Sequence, residues 1–328
     1  MIKSFFPLFF VGLLAASLGS CSSASETTPN GDTGSSFLDT GYLYAGIYGS
    51  DGLFRSHDSA QSWTQIASGL SNNSVMALVA NRSFIFAGTY RGGTFRSSDN
   101  GNHWMTVNTG LSNINIASLI WTGTAVCAGA YMAGAYAGYL FRSTDNGQKW
   151  VQDTFNGGPG PQLAKLGSFL FAASGAGVGV LRSSDDGSSW TPSNSGLSSL
   201  YIYSISASGS TVIAGASNGL FLSRDTGATW KSINNLQGNS IWSCYTNGTV
   251  FLASSIYGEI FRSADTGNTW ISSTQFESHR VVTFADNGQT IFAGTTTNGV
   301  FASGDQGLTW TAANKGIEGE TVWSLAFH

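Results

Sequence analysis

Seven aspartates recur at a nearly constant spacing in this 328-residue chain, and the same residue types flank each one. The shared pattern is S-x-D-x-G-x-x-W, and its carboxylates are Asp58, Asp99, Asp145, Asp185, Asp225, Asp265 and Asp305. A carboxylate can act as a general acid, as a metal ligand or as an acceptor for turn amides. Seven equivalent copies cannot form one catalytic centre. The pattern therefore indicates a structural turn, in which Asp accepts amide hydrogen bonds and Gly supplies a positive φ.

Two further residue types recur with this pattern. The tryptophans that end its six complete copies are Trp104, Trp150, Trp190, Trp230, Trp270 and Trp310, whereas Ala60 replaces the glycine in the first copy. We expect each indole ring to fold over its turn and to fill space between repeats. Arginines precede five of the copies, at Arg55, Arg96, Arg142, Arg182 and Arg262. We interpret these as structural residues whose aliphatic stems cover apolar surface.

Two carboxylates outside the pattern are candidates for catalysis. They are Asp51, in an early loop, and Glu320, just before the last predicted strand. Glycoside hydrolysis normally uses two carboxyl groups about 5–9.5 Å apart. This pair reaches that spacing if the loop before the last strand folds towards Asp51. A glycoside hydrolase is therefore the alternative to a binding function.

Aromatic and charged residues that do not repeat are the candidates for ligand binding. In the loops between second and third strands they are Tyr48, Asp51, Tyr90, Arg91, Tyr131, Tyr136, Tyr257 and Glu259. Around the starts of first strands they are Tyr203, Trp242, Arg280, Glu320 and Trp323. Rings that stack on apolar faces beside groups that bind hydroxyls or chain termini suit a glycan or a peptide. For several of these rings, packing between repeats is the alternative.

The residue types give little support for metal, phosphate or nucleic-acid binding. The four histidines are scattered without metal-site spacing, and no glycine-rich segment leads into a helix to form a phosphate loop. We therefore expect no cofactor and no metal. The formal net charge of −4 offers no basic surface for nucleic acid. A binding role without catalysis is favoured.

The segments between the motifs indicate the fold that positions these residues. Each unit of about 40 residues holds an alternating first strand, a second strand, a short third strand that leads into the motif, and a fourth strand that starts around the Trp. Four short strands per unit are typical of a propeller blade. The chain enters at a second strand, near Tyr42, and stops at a first strand that begins near Thr321. The sequence predicts an all-β, seven-bladed propeller of four-stranded antiparallel blades, closed by pairing of the C-terminal strand with the N-terminal blade.

The N-terminal segment has the features of a targeting signal. Lys3 is followed by an apolar stretch and by small residues, which predicts a secretory signal peptide over residues 1–20. Leu18-Gly19-Ser20-Cys21 is similar to the lipobox of bacterial lipoproteins, in which the Cys is acylated; an ordinary signal peptide is the alternative. Residues 21–41 are rich in Ser, Thr and Gly and predict a flexible tether, and residues 42–328 are expected to form the propeller.

Cys127 and Cys244 lie three blades apart, so we expect two buried free thiols.

The repeated motif resembles the Asp box, or bacterial neuraminidase repeat, of sialidase-like propellers. In that family the motif lies between the third and fourth strands. The sialidases it resembles carry an Arg-Ile-Pro segment, which this chain lacks. Asp51 occupies a place comparable to a catalytic Asp of xyloglucanase-type hydrolases, whose second carboxylate comes from a second propeller. The photosystem II assembly factor, a lipid-anchored propeller without catalysis, is similar in outline, although G-x-F-R-S precedes two of the motifs here.

These observations together predict a monomeric propeller, anchored to a membrane through the lipid on Cys21 and located in the bacterial cell envelope, at the outer membrane or cell surface. We expect it to bind a glycan, a peptide or an envelope protein on the face opposite the motif turns.

Overall fold

The computed structural model describes residues 41–49, 52–132, 138–153, 158, 160–273, 275–276 and 279–328. These residues form seven four-stranded antiparallel sheets, which are the blades of one propeller. The seven-bladed architecture expected from the repeats is therefore confirmed. The predicted signal peptide, Cys21 and all but the last residue of the predicted tether lie outside the described residues.

The first strand of each blade is the innermost one, since it contacts the first strands of both neighbouring blades. In the order of blades 1 to 7 these strands are β28 (Val322–Phe327), β4 (Val75–Ala80), β8 (Ile116–Trp121), β12 (Gln162–Leu166), β16 (Ile202–Ser208), β20 (Ile241–Thr246) and β24 (Val281–Asp286). The alternation expected from the sequence does not appear in burial. The residues from Val75 to Val79, for example, are all buried, because neighbouring blades cover both faces of the sheet.

The second and third strands continue each blade outwards. The second strands are β1 (Leu43–Ile47), β5 (Ile85–Thr89), β9 (Val126–Tyr131), β13 (Phe169–Ser174), β17 (Thr211–Ala216), β21 (Phe251–Ser255) and β25 (Ile291–Thr295). The third strands are β2 (Leu53–Ser56), β6 (Gly93–Ser97), β10 (Gly138–Ser143), β14 (Gly179–Ser183), β18 (Gly219–Ser223), β22 (Ile260–Ser263) and β26 (Val300–Ser303).

The outermost strands are short and largely exposed. They are β3 (Thr64–Gln65), β7 (Met105–Thr106), β11 (Val151–Gln152), β15 (Thr191–Pro192), β19 (Lys231–Ser232), β23 (Ile271–Ser273) and β27 (Thr311–Ala312). One 3-10 turn, Asn234–Leu236, follows β19. Within the described ranges, no helix has the length and apolar character needed to cross a bilayer.

The C-terminal strand closes the ring. β28 pairs with β1 in antiparallel register, with Tyr44 opposite Ala326. Beyond the strand ends, Tyr42 and His328 exchange two backbone hydrogen bonds, each of 3.1 Å. The first blade is therefore built from both ends of the chain, as the sequence predicted, and the innermost edge of β1 is covered.

The hydrophobic core is divided among the junctions between blades. Seven apolar clusters each join two neighbouring blades, and together they run round the whole ring. Phe171, Ile205 and Trp230, for example, fill the junction between blades 4 and 5. Cys127 and Cys244 are buried in two different junctions as free thiols, which confirms the expectation from the sequence.

The S-x-D-x-G-x-x-W segments form tight turns between the third and fourth strands, which we call the motif turns. In blade 5, Asp225 accepts hydrogen bonds from the Ser223 hydroxyl at 2.8 Å and from the Thr229 amide at 2.9 Å. The Thr229 hydroxyl and amide, with the Ser223 hydroxyl, lower the pKa of Asp225 to about 2. The Ser223 hydroxyl also accepts the N–H of Gly227, whose φ is 81°. These carboxylates are thus engaged within their own turns.

The tryptophan of each motif turn packs on the preceding blade. The Trp150 indole N–H, for instance, donates to the Val107 carbonyl at 2.7 Å and the ring is fully buried. Trp190 and Trp270 differ, since they are partly exposed and donate to glycine carbonyls of their own turns. The arginines before the motif add a second link between blades: the Arg182 side chain donates to the Thr226 carbonyl of the next motif turn at 2.9 Å. Both residue types tie neighbouring blades together.

Candidate functional site

The propeller has two faces, and the sequence repeats from blade to blade on one of them more closely than on the other. The motif turns form the motif face. The opposite face, which we call the loop face, consists of the loops between second and third strands and the connections from one blade to the next. These two kinds of segment are hydrogen-bonded to each other, as where the Tyr48 N–H donates to the Thr321 carbonyl at 3.0 Å and the Tyr90 N–H to the Ser74 carbonyl at 2.9 Å. The loop face therefore brings together side chains that do not repeat.

A β-bulge interrupts the pairing of the first and second strands in six blades, each time at the second residue of the first strand. In blade 6, Ile241 and Ser243 have partners in β21, whereas Trp242 between them has none. The bulged residues are Met76, Ala117, Tyr203, Trp242, Val282 and Trp323. A bulge re-aims the extra residue away from the regular ladder. These six positions lie at the loop-face ends of the innermost strands.

Four of the bulged residues, from consecutive blades, pack together near the propeller axis. With Ile256 they form what we call the axial cluster, which consists of Tyr203, Trp242, Ile256, Val282 and Trp323. Trp242 and Val282 are its buried members. The rings of Tyr203 and Trp242 have centroids 5.7 Å apart. The bulges thus build an apolar, largely aromatic surface out of strand positions that are equivalent from blade to blade.

Arg280 covers the axial cluster on one side. Its guanidinium carbon lies 5.1 Å from the centroid of the Trp242 ring, within the range of a cation–π contact. Its Nε–H donates to the Ile256 carbonyl at 3.0 Å. Burial lowers the pKa of Arg280. A partly desolvated positive charge is therefore held against an indole ring.

Tyrosines from blades 1 to 3 continue the aromatic surface. Tyr48 follows β1, and its ring centroid lies 5.6 Å from that of Trp323. The rings of Tyr90 and Tyr131 are stacked with centroids 6.5 Å apart, and the Arg91 guanidinium carbon lies 4.8 Å from the Tyr90 centroid. Each of the two loop-face arginines, Arg91 and Arg280, is accordingly placed against an aromatic ring.

Tyr131 lies within electrostatic reach of both Tyr90 and Tyr48. Burial raises the pKa of Tyr131, and charge repulsion from Tyr90 and Tyr48 in their ionised forms raises it further, while the nearby Arg91 acts in the opposite direction. Tyr48 contacts Trp323 and lies near Tyr131. We define the aromatic arc as Tyr131, Tyr90, Tyr48, Trp323, Trp242 and Tyr203. Its residues come from five blades, and two of them, Tyr131 and Trp242, are buried.

Three buried polar groups of the arc have no hydrogen-bond partner. They are the indole Nε1 atoms of Trp242 and Trp323 and the hydroxyl of Tyr131. An indole N–H can only donate, and a buried donor without a partner loses free energy relative to one that is paired. Acceptor atoms of a ligand, such as carbonyl, hydroxyl or carboxylate oxygens, would pair with these groups.

The other residues proposed from the sequence are not members of the arc, or they fall outside the described residues. Tyr257 is 72% exposed on the loop face. Glu259 closes the same loop, where its N–H donates to the Ser255 hydroxyl at 3.2 Å. Glu320 lies in the turn before β28, and its carbonyl accepts the Gly299 N–H at 3.0 Å. Asp51 and Tyr136 fall outside the described residues. Across the described ranges, no three His, Cys, Asp or Glu side chains are placed to share a metal ion.

Two members of the axial cluster were not proposed from the sequence. Val282 and Ile256 are aliphatic, and only aromatic and charged residues were selected as candidates. The signal that identifies Val282 is its position, since it follows the first residue of its innermost strand as Trp242 and Trp323 do. Ile256 directly follows its second strand, as Tyr48 does.

Exposed apolar side chains are concentrated on the loop face. Large hydrophobic residues that are at least 38% exposed there are Tyr48, Ile114, Met132, Leu200, Tyr201 and Tyr257. The motif turns, in contrast, expose Leu308, and the outermost strands expose Met105, Val151 and Ile271. Apolar groups grouped on one face are typical of surfaces that bind other molecules.

Comparison with known proteins adds information about the fold alone. No family model matches the chain, and no curated protein matches it significantly. Many solved structures are similar in fold. YCF48 from Cyanidioschyzon merolae has a TM-score of 0.55 and 15% identity, with 76% of this chain and 87% of that chain covered. A second structure, titled YCF48 bound to D1 peptide, has a TM-score of 0.53 and 15% identity and covers 74% of this chain and 85% of that chain.

Two larger proteins contain a similar propeller. The GH74 xyloglucanase from Xanthomonas campestris has a TM-score of 0.59 and 17% identity over 76% of this chain and 46% of that chain. The extracellular domain of BT4673 from B. thetaiotaomicron has a TM-score of 0.62 and 16% identity over 80% of this chain and 38% of that chain. The similar region thus covers less than half of either protein. All these identities are too low to carry more than the propeller fold.

Proposed function

We propose that the protein is a binding protein or scaffold without catalytic activity, and that it recognises its partner on the loop face. The aromatic arc supports this proposal. It gathers six rings from five blades, with two arginines against them, at positions where the repeats differ. Aromatic residues and arginine are the residue types that contribute most to binding energy at protein interfaces.

A peptide or protein partner fits this face better than a glycan does. Beside the rings, the loop face exposes the aliphatic side chains of Ile114, Met132 and Leu200. Such side chains pack against apolar side chains of a partner, whereas sugar hydroxyls would leave them without suitable contacts. One propeller of similar fold, YCF48, has been solved with a bound peptide.

We further propose that the protein acts outside the cytoplasm as a lipid-anchored propeller of the Asp-box type. Cys21 directly follows Leu18-Gly19-Ser20 at the end of an apolar stretch, which supports cleavage and acylation there. Two or three acyl chains on one residue provide stable anchoring. The extracellular domain of BT4673 is an example of a similar propeller outside the cytoplasm. Palmitate labelling tests the anchor, since labelling that survives Cys21→Ala contradicts it.

Glycoside hydrolysis is the second candidate function. It is favoured by the similarity in fold to a xyloglucanase, of which this chain covers less than half. Asp51 and Glu320 are its candidate carboxylates. A panel of polysaccharides tests this activity, because hydrolysis by the natural chain that Asp51→Asn abolishes would replace binding as the main function.

The experiment that tests the binding proposal is a peptide-array screen with the mature chain, followed by titration of the strongest binder. We expect Tyr48→Ala and Tyr90→Ala each to weaken binding by about tenfold, since both rings belong to the arc. Leu308→Ala is the matched control, because Leu308 is 52% exposed on the motif face. The proposal fails if the array yields no binder, or if both tyrosine variants bind as the natural chain does.

A further inference from the structure

The axial cluster offers a partner hydrogen-bond donors set in an apolar surround. The indole N–H groups of Trp242 and Trp323 are buried and unpartnered, and Trp242 is only 6% exposed. Ile256, which is partly exposed, supplies aliphatic surface beside them, and Val282 is buried within the cluster. Because an indole can donate but never accept, a ligand that pairs with these groups must carry an acceptor.

Arg280 adds a positive charge to these donors. One of its five N–H groups is used by the Ile256 carbonyl, and one face of the guanidinium lies against Trp242. Over the part of the chain that the structure describes, the one ion pair is His103 with Asp99, in a motif turn far from Arg280. The remaining guanidinium N–H groups at the axial cluster are therefore without an anionic partner from the described residues. A planar fork of this kind matches a carboxylate, which can accept two of its hydrogen bonds at once.

We infer that the axial cluster binds a carboxylate group of an acidic peptide, with Arg280 as its charged partner and the indole N–H groups of Trp242 and Trp323 as neutral donors. The inference rests on the proposed binding function and names the chemistry of the ligand. A single guanidinium balances one negative charge, so a carboxylate fits better than a phosphate dianion. The partly exposed aliphatic side chain of Ile256 favours a peptide over a uronate-containing glycan, whose hydroxyls need polar partners.

Binding at this place has a spectroscopic consequence. Both indole nitrogens are buried in the free protein, so an acceptor reaches them only when the rings shift. The emission of Trp242 and Trp323 therefore changes when the carboxylate binds, and a signal that depends on these two rings reports occupation of the cluster itself.

The test uses two small probes that differ in one group: N-acetylphenylalanine, which carries a carboxylate, and N-acetylphenylalaninamide, which does not. Binding to the mature full-length chain is measured by ligand-observed saturation-transfer NMR and by tryptophan fluorescence. We expect the acid to bind about tenfold more tightly than the amide, as is typical of a charge-assisted hydrogen-bond pair. The fluorescence change should be reduced in Trp242→Phe and lost when Trp323→Phe is combined with it.

Variants of Arg280 separate recognition from folding. Arg280→Gln should remove the preference for the acid, and Arg280→Lys should keep part of it because the charge remains. Arg82→Gln makes the same change of charge in the turn between β4 and β5 and is the matched control. Urea unfolding of each variant shows whether the propeller is intact. An aspartyl or glutamyl side chain within an amidated tetrapeptide distinguishes a side-chain carboxylate from a terminal one.

Each of the following results overturns the inference. Equal binding of acid and amide to the natural chain excludes a carboxylate site, as does failure of both probes to bind at their solubility limits. A preference for the acid that persists in Arg280→Gln places the site elsewhere. Trigalacturonate is an acidic glycan. If it binds in a way that depends on Arg280 while the peptide probes do not bind, the ligand is not a peptide and the inference fails. If array peptides still require Tyr48 and Tyr90 but show no preference for carboxylates, the proposed function stands and this inference fails.

Discussion

The rings of Tyr48 and Trp323 are in contact, with centroids 5.6 Å apart, although the two residues come from opposite ends of the propeller sequence. Tyr48 follows β1, which enters the first blade, and Trp323 is the bulged residue of β28, which completes it. The contact that closes the ring is thus also part of the aromatic arc. Ring closure and the candidate site depend on the same strand.

Removal of residues 321–328 should therefore abolish the stable monomer. Without β28, the inner edge of β1 is unpaired and the junction between blades 7 and 1 loses Val322 and Leu325, both fully buried. An exposed strand edge promotes association of chains. Size-exclusion chromatography and thermal unfolding measure the effect. A chain with a Gly-Ser tail after His328 keeps β28 and is the control; a truncated chain that is monomeric and equally heat-resistant would contradict the closure.

Trp150→Ala should destabilise the propeller strongly. The ring is fully buried between blades 2 and 3, and its indole N–H donates across the junction to Val107. Truncation of a buried aromatic side chain costs about 3–5 kcal/mol in the free energy of unfolding. Trp190→Ala is the matched comparison and should cost less, because Trp190 is partly exposed and bonds within its own turn. Urea unfolding measures both, and equal losses would refute the distinction.

Ser183→Ala should weaken the motif turn of blade 4. The Ser183 hydroxyl is buried, donates to Asp185 at 2.7 Å and accepts the Gly187 N–H at 2.9 Å. The substitution leaves that N–H buried without a partner, which costs about 1–3 kcal/mol in the free energy of unfolding. Ser188→Ala, on an exposed residue of the same turn, should have little effect. A Ser183 variant as stable as the Ser188 variant would show that the hydroxyl is dispensable.

Asp153→Asn should change how stability depends on pH. Burial raises the pKa of Asp153 from 3.8 to about 6, with Asp185 adding to the shift and Arg142 opposing it. The folded protein then holds this proton more tightly than the unfolded chain, so the contribution of Asp153 to stability falls as pH rises from about 4 to 6. The variant should lack this fall and should gain stability relative to the natural chain above that range.

Urea titrations of both chains at pH values from 4 to 8 give the free energy of unfolding of each. The quantity to compare is the difference between the two chains at each pH. The motif carboxylates act in the opposite sense: their pKa values are lowered, for example to about 2 at Asp225, so their contribution is lost as pH falls below about 4. They are common to both chains and cancel in the difference. A difference that does not vary with pH would show that Asp153 titrates normally.

The repeat of seven motifs was sufficient to predict the fold. Each copy of S-x-D-x-G-x-x-W is self-contained, since the Asp, Ser and Gly that make the turn lie within a few residues of each other. Local hydrogen bonds of this kind can be read from a single sequence. The propeller sequence enters at a second strand near Tyr42 and stops at a first strand after Thr321. This order predicted that the two strands pair and close the ring.

The candidate site was less accessible to sequence reasoning, because its contacts join different blades. Nothing in the neighbourhood of Tyr131 indicates that its ring stacks on Tyr90. Tyr257 looked equivalent to Tyr48, yet it is 72% exposed and stands outside the arc. The bulges depend on the register between two strands, which composition does not reveal. Asp51 and Tyr136 remain predictions.

The residue at each bulge has no partner in the second strand, so the pairing of the blade does not constrain its type. Met76, Ala117, Tyr203, Val282 and the two tryptophans occupy the same slot, although their side chains range from a methyl group to an indole. Since the slot takes no part in strand pairing, its occupant can be exchanged while the ladder keeps its hydrogen bonds. Four of these residues are buried, whereas Tyr203 and Trp323 are partly exposed. A substitution at either of these two positions therefore changes what the loop face presents to a partner without changing the strand register.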